Sequence, residues 1–236
     1  MHNLFYASSH KIKGDKITID REELHHVRNV LRVRQGDIVW ITDGSGKRYQ
    51  TKITELGKIK LTAHILEKTY VKRLSTVNLE LAFVPLKSSR NDIIIEKCTE
   101  LSVSKFHPFT SKYSVVPQMT EQKAGRLQRI AVSAMLQSQQ YYLPDIIVSE
   151  NIDALFEACS DFDLVLVADR KGSLQVPRGA GSVLYIVGPE GGFDDAELEE
   201  FQGNGVQLLS LGQNRLRSET AAIVGIAKIL AAYGQI

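Results

Sequence analysis

Two cysteines, Cys98 and Cys159, are all the thiols this 236-residue chain contains. They stand far apart, with no second Cys or His at metal-ligand spacing. A disulfide framework and a zinc site are therefore excluded, and both thiols are expected to be reduced core groups. Long hydrophobic runs are also missing. The longest apolar stretch, residues 221–233, is interrupted by Lys228 and is too short to span a bilayer. Residues 1–11 carry an apolar run only from Leu4 to Ala7, short of a signal peptide. No membrane partner is expected, and a cytoplasmic location follows by default. There is no internal repeat and no low-complexity tract. Neither a G-x-G-x-x-G fingerprint nor a Walker A loop occurs, so neither a dinucleotide nor a nucleoside triphosphate is indicated. No cluster of metal ligands has suitable spacing, so no metal is expected.

What is present is an ordinary globular composition, 43% hydrophobic and 24% charged, unlike that of a disordered chain. Net charge is only +2, but it is unevenly placed. Residues 1–72 hold 14 Lys+Arg against 8 Asp+Glu, whereas residues 73–236 hold 15 against 19. Five of the six histidines also lie in the first part. A basic first part suggests a polyanion-binding unit joined to something else.

The hydrophobic pattern changes at the same place. Before residue 70 the chain reads as short strands at 16–19, 38–42, 48–53 and 59–66. Turn signals such as Asp43-Gly44-Ser45-Gly46 separate them, which suggests a small barrel. One helix is expected at 21–30, opened by Asp20 as N-cap with Glu23 three residues on. The polar segment 70–76 marks a boundary. Beyond it strands at 79–84, 105–109, 164–168, 183–187 and 206–209 alternate with helices at 92–101, 120–139, 152–158, 194–201 and 218–232. Alternation of this kind, with continuous apolar strands such as Leu164-Val165-Leu166-Val167, predicts an α/β domain built on a parallel sheet.

Two segments carry candidate chemistry. In the first, the strand ending at Val187 runs into Gly188-Pro189-Glu190-Gly191-Gly192-Phe193 and then an acidic helix start. Glycines here let backbone approach a ligand closely, and ligands of parallel sheets bind outside the carboxyl ends of strands. Taken alone, a tight turn whose glycines only serve the bend is the favoured explanation. In the second, Leu211-Gly212-Gln213-Asn214-Arg215-Leu216-Arg217 leads into Ser218-Glu219-Thr220-Ala221. Ser218 is the expected N-cap. Arg215 and Arg217 gain nothing from the positive end of a helix dipole, which suggests that they serve an anion. Solvated arginines beside a capped helix are the bland alternative.

Together the two segments resemble the SPOUT class of methyltransferases, and within it the family that methylates N3 of a uridine in 16S ribosomal RNA. The resemblance extends to Glu23-Leu24-His25-His26-Val27-Arg28 through Gly36-Asp37, and to Lys97-Cys98-Thr99-Glu100-Leu101-Ser102-Val103, where Ser102 replaces the family's usual Gly. It departs at Leu136 and Gln140, where the family commonly has Glu and Arg, and at Tyr113, where an Arg is usual.

The resemblance implies a PUA-like β-barrel over residues 1–70 that binds RNA, and a methyltransferase domain over 74–236 with a C-terminal trefoil knot. It implies a homodimer acting on 16S ribosomal RNA or the small subunit. S-adenosylmethionine would be the cofactor, held by Ala168, Gly188, Glu190, Gly191, Gly192, Leu211, Gly212, Gln213, Leu216 and Thr220. Arg217 and Glu219 would carry the chemistry. Arg28, Arg32, Arg34, Lys47 and Arg48 are the candidates for gripping RNA, with His25 and His26 beside them. The alternative is an assembly factor that binds RNA on the same fold without catalysis.

Overall fold

A computed structural model describes residues 4–20, 33–73, 75–87, 89–114, 116, 119–149 and 151–236. The expected helix at 21–30, with His25, His26 and Arg28, lies outside the described residues, as does Arg32. The chain divides into two compact units. One comprises Met1–Leu74 with Met135–Leu143, and the other Ser75–Ala134 with Pro144–Ile236.

The first unit is a six-stranded sheet of β1 (Leu4–Tyr6), β2 (Ile12–Lys13), β3 (Lys16–Asp20), β4 (Ile38–Thr42), β5 (Lys47–Leu56) and β6 (Lys60–Tyr70). Its order is β1-β4-β5-β6-β3-β2, with only the β1–β4 pair parallel. Alternate residues of these strands, among them Ile17, Ile19, Val39, Ile41, Ile53 and Leu61, form one apolar core, as the two-residue period of a strand requires. The Asp43–Gly46 turn does more than reverse the chain. Gly46 N donates to Tyr141 O at 2.8 Å and Leu143 N donates to Gly44 O at 2.8 Å. A Cβ on Gly46, whose φ is +86°, would fall 2.4 Å from the Tyr142 hydroxyl. The glycine is therefore needed both for its dihedral and for the space it leaves.

The second unit is a wholly parallel sheet flanked by helices. Its elements are β7 (Asn78–Phe83), α1 (Arg90–Glu100), β8 (Lys105–Pro108), α2 (Glu121–Gln137, whose last residues belong to the first unit), β9 (Asp145–Ile146), α3 (Ile152–Cys159), β10 (Leu164–Ser173), β11 (Ser182–Val187), α4 (Asp195–Gly203), β12 (Gln207–Leu209) and α5 (Ser218–Ala232). The strand order is β12-β10-β11-β7-β8-β9. Ala82, Val165, Val167, Leu184 and Ile186 pack on one face with Leu155 and Cys159 of α3 and Phe201 of α4. α5 packs against α1, β7 and β11. Both thiols are free and buried; burial raises both, that of Cys159 to about 11. Among the described residues no helix is long and apolar enough to cross a membrane.

Two local expectations are corrected, and one departure from the family pattern is explained. Ser218 is not the cap but the first residue of α5; Arg217 is the capping residue, with extended backbone (φ −70°, ψ 153°) and no side-chain cap. β10 does not stop at Ala168 but continues to Ser173 through an irregularity in its pairing with β12. Finally, Ser102 takes φ +64° just after α1. That is the left-handed conformation a helix end commonly gives to Gly, and it accounts for the Gly usual at this place.

Buried ionisable groups on β7 and β8 make stability depend on pH. Glu80, 2% exposed, has its Oε2 2.7 Å from His107 Nε2. Its Oε1 accepts from Asn78 Nδ2 at 3.1 Å and lies 3.3 Å from Lys105 Nζ. Burial works to raise its pKa, but these hydrogen bonds and charges outweigh burial and hold it below the usual glutamate value. A lowered folded-state pKa adds stability above the unfolded value, and that stability is lost as pH falls through the folded one. Glu80→Gln should thus cost roughly 1–3 kcal/mol at pH 7. The gap in urea midpoint between wild type and variant should shrink once pH drops below ~4.3. A gap that stays constant to pH 3 would contradict this.

Candidate active site

The carboxyl ends of β11 and β12 and the irregular stretch of β10 that lies between them open into one cleft of about 650 Å³. Its wall is made by Ala168–Lys171, by the 187–193 segment, by residues following β12 from Leu211 to Leu216, and by Ser218 and Ala221 at the start of α5. Each wall has a physical cause. Ser210 N donates to Ser173 O at 2.8 Å, beyond the irregularity that lets residues 169–172 bow out of the sheet. At Gly172 a Cβ would meet the Leu208 carbonyl carbon at 2.4 Å, so only glycine allows the strands to close again. Lys228 Nζ of α5 holds the Ser210 carbonyl at 2.8 Å.

The glycine-rich turn is anchored at its far end. Phe193 packs against Phe109 and Phe201, at ring-centroid distances of 6.4 and 5.0 Å. Gly188 makes room for that ring, since a Cβ there would fall 2.9 Å from Phe193 Cε2. Asp194 then opens α4 with a capping box: its Oδ1 accepts from Glu197 N at 2.7 Å, and its N donates to Glu197 Oε2 at 3.0 Å. Lys112 Nζ, 2.6 Å from Asp194 Oδ2, holds that carboxyl below the usual range. By contrast, a Cβ added at Gly191, Gly192 (φ +78°) or Gly212 (φ +127°) would meet nothing within 4 Å. Their missing side chains leave the cleft open.

Of the residues singled out for a cofactor, Ala168, Gly188, Glu190, Gly191, Gly192, Leu211, Gly212 and Leu216 line this one cleft. Gln213 and Thr220 are exposed and do not line it. Arg217 is also exposed. Glu219 is 8% exposed, and its Oε2 is buried with no hydrogen-bond partner among the described residues. No ion pair joins Arg217 to Glu219. Arg215, read as an anion ligand, instead donates from Nη2 to the Glu190 carbonyl at 2.7 Å. Arg90, at the start of α1, forms an ion pair with the Glu190 carboxylate. Glu190 is thus held from two sides, tying the Gly188–Gly192 turn to both neighbouring segments. Sequence reasoning misses Arg90, because a partner a hundred residues away leaves no local pattern.

Two of the RNA-gripping candidates are occupied within the first unit. Lys47 Nζ lies 3.2 Å from Asp43 Oδ2. Arg48 lies over the Trp40 ring at 4.4 Å and donates from Nε to Thr69 Oγ1 at 3.2 Å. Arg34 is exposed.

A family model described as an RNA methyltransferase domain matches residues 72–230, and one described as an RNA methyltransferase PUA domain matches residues 19–66. The parallel sheet and its cleft therefore belong to the RNA methyltransferases, with a small PUA-like β domain before them. A chain from Mesomycoplasma hyopneumoniae named ribosomal RNA small subunit methyltransferase E is 32% identical over 71% of this chain and 76% of its own length. One of the same name from Bacillus subtilis is 29% identical over 90% and 88%. The crystal structure of the Neisseria gonorrhoeae protein of that name, bound to S-adenosyl methionine, superposes with a TM-score of 0.85. It is 26% identical and covers 98% of both chains. The present chain is a member of the ribosomal RNA small subunit methyltransferase E family.

Proposed function

We propose that this chain transfers a methyl group from S-adenosylmethionine to N3 of a uridine in 16S ribosomal RNA. The observation that carries the reading is the convergence of the ends of β11 and β12 and the bowed stretch of β10 on one cleft whose walls include the open glycines Gly191, Gly192 and Gly212. Such walls suit a ligand recognised through main-chain N–H and C=O groups. In this reading residues 1–70 form the PUA-like RNA-binding domain, completed by Met135–Leu143. Residues 74–236 form the methyltransferase domain, with a trefoil knot towards its C-terminus. The protein works in the cytoplasm as a homodimer.

The residues divide the work as follows. Gly191, Gly192 and Gly212 leave space for the cofactor, and Glu190, fixed by Arg90 and Arg215, keeps the middle segment in place. The cofactor, when bound, supplies an electrophilic methyl group. Uridine N3 is a poor nucleophile until its imide proton leaves, and the resulting charge spreads onto O2 and O4. Arg217, permanently charged and with no ion pair among the described residues, is suited to stabilise that charge. A buried carboxylate oxygen without a partner is costly, so Glu219 would gain by accepting the N3 proton or an N–H of a repositioned Arg217. N3 is a Watson–Crick edge atom, so the target must be unpaired or extruded before it reacts.

Calorimetry with S-adenosylhomocysteine, NAD and ATP tests the cofactor assignment. Only S-adenosylhomocysteine should bind. Gly191→Val, which projects into open space and leaves packing intact, should weaken that binding about tenfold or more, ~1.4 kcal/mol. Equal binding by wild type and variant would place the cofactor elsewhere. Mass spectrometry of 16S RNA from a deletion strain, before and after incubation with the protein, should show 3-methyluridine appearing.

A further inference from the structure

The first unit carries a cluster of aromatic rings and arginines that the cleft does not use. Arg48 lies 4.4 Å from the Trp40 ring centroid and 5.9 Å from that of Tyr141. Arg73 lies 4.8 Å from the ring of Tyr142. Tyr142 meets Tyr70 edge to face, with centroids 6.4 Å apart. Its hydroxyl donates to the Val71 carbonyl at 2.8 Å and lies 3.0 Å from the Tyr70 hydroxyl. Tyr70 is nevertheless 67% exposed.

Three features of this cluster point to one kind of ligand. The Tyr142 ring is held before anything binds, because its hydroxyl donates to the Val71 carbonyl and main-chain hydrogen bonds fasten the flanking Tyr141 and Leu143 to the glycine turn. A held ring loses little side-chain entropy on binding. The cluster's charge is positive, in a part of the chain that holds 14 Lys+Arg against 8 Asp+Glu. Its surfaces are flat: phenol rings and guanidinium planes. A polyanion gripped only through phosphates needs cations but no rings, and a duplex hides the faces of its bases. Unpaired bases offer both a phosphate charge and a π-face, and they stack on Tyr, Trp and Arg.

We propose that Tyr70, Arg73 and Tyr142, with the Trp40–Arg48–Tyr141 stack, form a platform for unpaired bases of the substrate RNA. This rests on the reading that RNA is the substrate. It also reassigns Arg48, which acts here through its flat face on a ring.

The chain has a single tryptophan, and Trp40 belongs to the platform, so its fluorescence is a direct probe. The full-length protein is titrated at fixed salt with a single-stranded oligoribonucleotide of mixed sequence, and then with the same strand in a duplex. The single strand should bind at least about tenfold more tightly and change Trp40 emission. Tyr70→Ala and Arg73→Ala should each weaken it roughly 5- to 100-fold, the range expected for losing one stacked base. Tyr70→Phe, which keeps the ring and loses the hydroxyl, should bind like wild type. Calorimetry with S-adenosylhomocysteine should be unchanged for all three variants.

Wild-type affinity in Tyr70→Ala and Arg73→Ala would overturn the proposal, as would equal affinity for duplex, or binding that leaves Trp40 emission unmoved. A change of oligomeric state in Tyr70→Ala on sedimentation would overturn it too, by showing that a second copy covers the patch. These outcomes are separable from failure of the proposed function, which would appear as loss of S-adenosylhomocysteine binding in the wild type.

Discussion

Arg217→Ala is expected to lower kcat by about 10²–10³-fold, the usual cost of removing one donor aimed at developing negative charge. Affinity for S-adenosylhomocysteine should stay within about threefold, since the effect belongs to the transition state and not to ground-state binding. The separation is clean because of where the residue stands. Arg217 is exposed, makes no ion pair among the described residues and caps α5 only through its backbone. Truncating it should change stability by no more than about 0.5 kcal/mol. Arg217→Lys keeps the charge but not the planar fork of donors, and should recover only part of the rate. Single-turnover methylation of 16S RNA, with calorimetry on the same samples, measures both quantities. An unchanged kcat in Arg217→Ala would remove the arginine from the chemistry and leave deprotonation in bulk water as the route to the reactive anion.

Gly225→Ala should be a strongly damaging small substitution in the second unit. On an exposed helix, alanine for glycine gains up to ~1 kcal/mol. Here a Cβ would sit 2.2 Å from Cζ and Oη of Tyr185, a fully buried ring whose hydroxyl donates to the Ala221 carbonyl at 3.1 Å. Neither ring nor helix can yield cheaply in a close-packed interior. Overpacking of this kind costs typically about 1–3 kcal/mol and occasionally more, and the Tyr185 hydrogen bond is lost with it. At roughly 2–4 °C per kcal/mol for a chain of this size, Tm should fall by about 5–10 °C. The cause can be isolated. In a Tyr185→Leu background the same glycine change should cost far less, because the two residues touch and their effects are not additive. If Gly225→Ala is equally harmful without the Tyr185 ring, the steric account is wrong.

What the residues alone disclose divides along the range of the interaction. Strand 183–187 is legible because a run of β-branched and apolar residues states its own burial. The Gly188–Gly192 and Gly212 turns are legible because a demand on backbone is written in the residue that meets it. Even so, pattern alone does not separate Gly188, which makes room for Phe193, from Gly191, which opens the cleft. It also misplaces the cap of α5 by one residue: Ser218 has a capping side chain, but the extended backbone belongs to Arg217. Arg48 reads as a phosphate ligand because its position over Trp40 depends on cross-strand register, with Thr42 opposite Arg48 and Trp40 opposite Gln50. Arg90 leaves no trace at all, since its partner Glu190 is distant in the chain. The family resemblance, resting on several segments at once, supplies what no single segment does.

The Met135–Leu143 excursion means that the first unit is not written in one stretch of the gene. A fragment ending near residue 70 would lack the peptide that occupies the Asp43–Gly46 turn, and would leave the amide of Gly46 and the carbonyl of Gly44 without those main-chain partners. Such a unit cannot be lifted out and spliced onto another enzyme as a self-sufficient cassette. Any change in how it handles its ligand must be inherited together with the catalytic half that interrupts it.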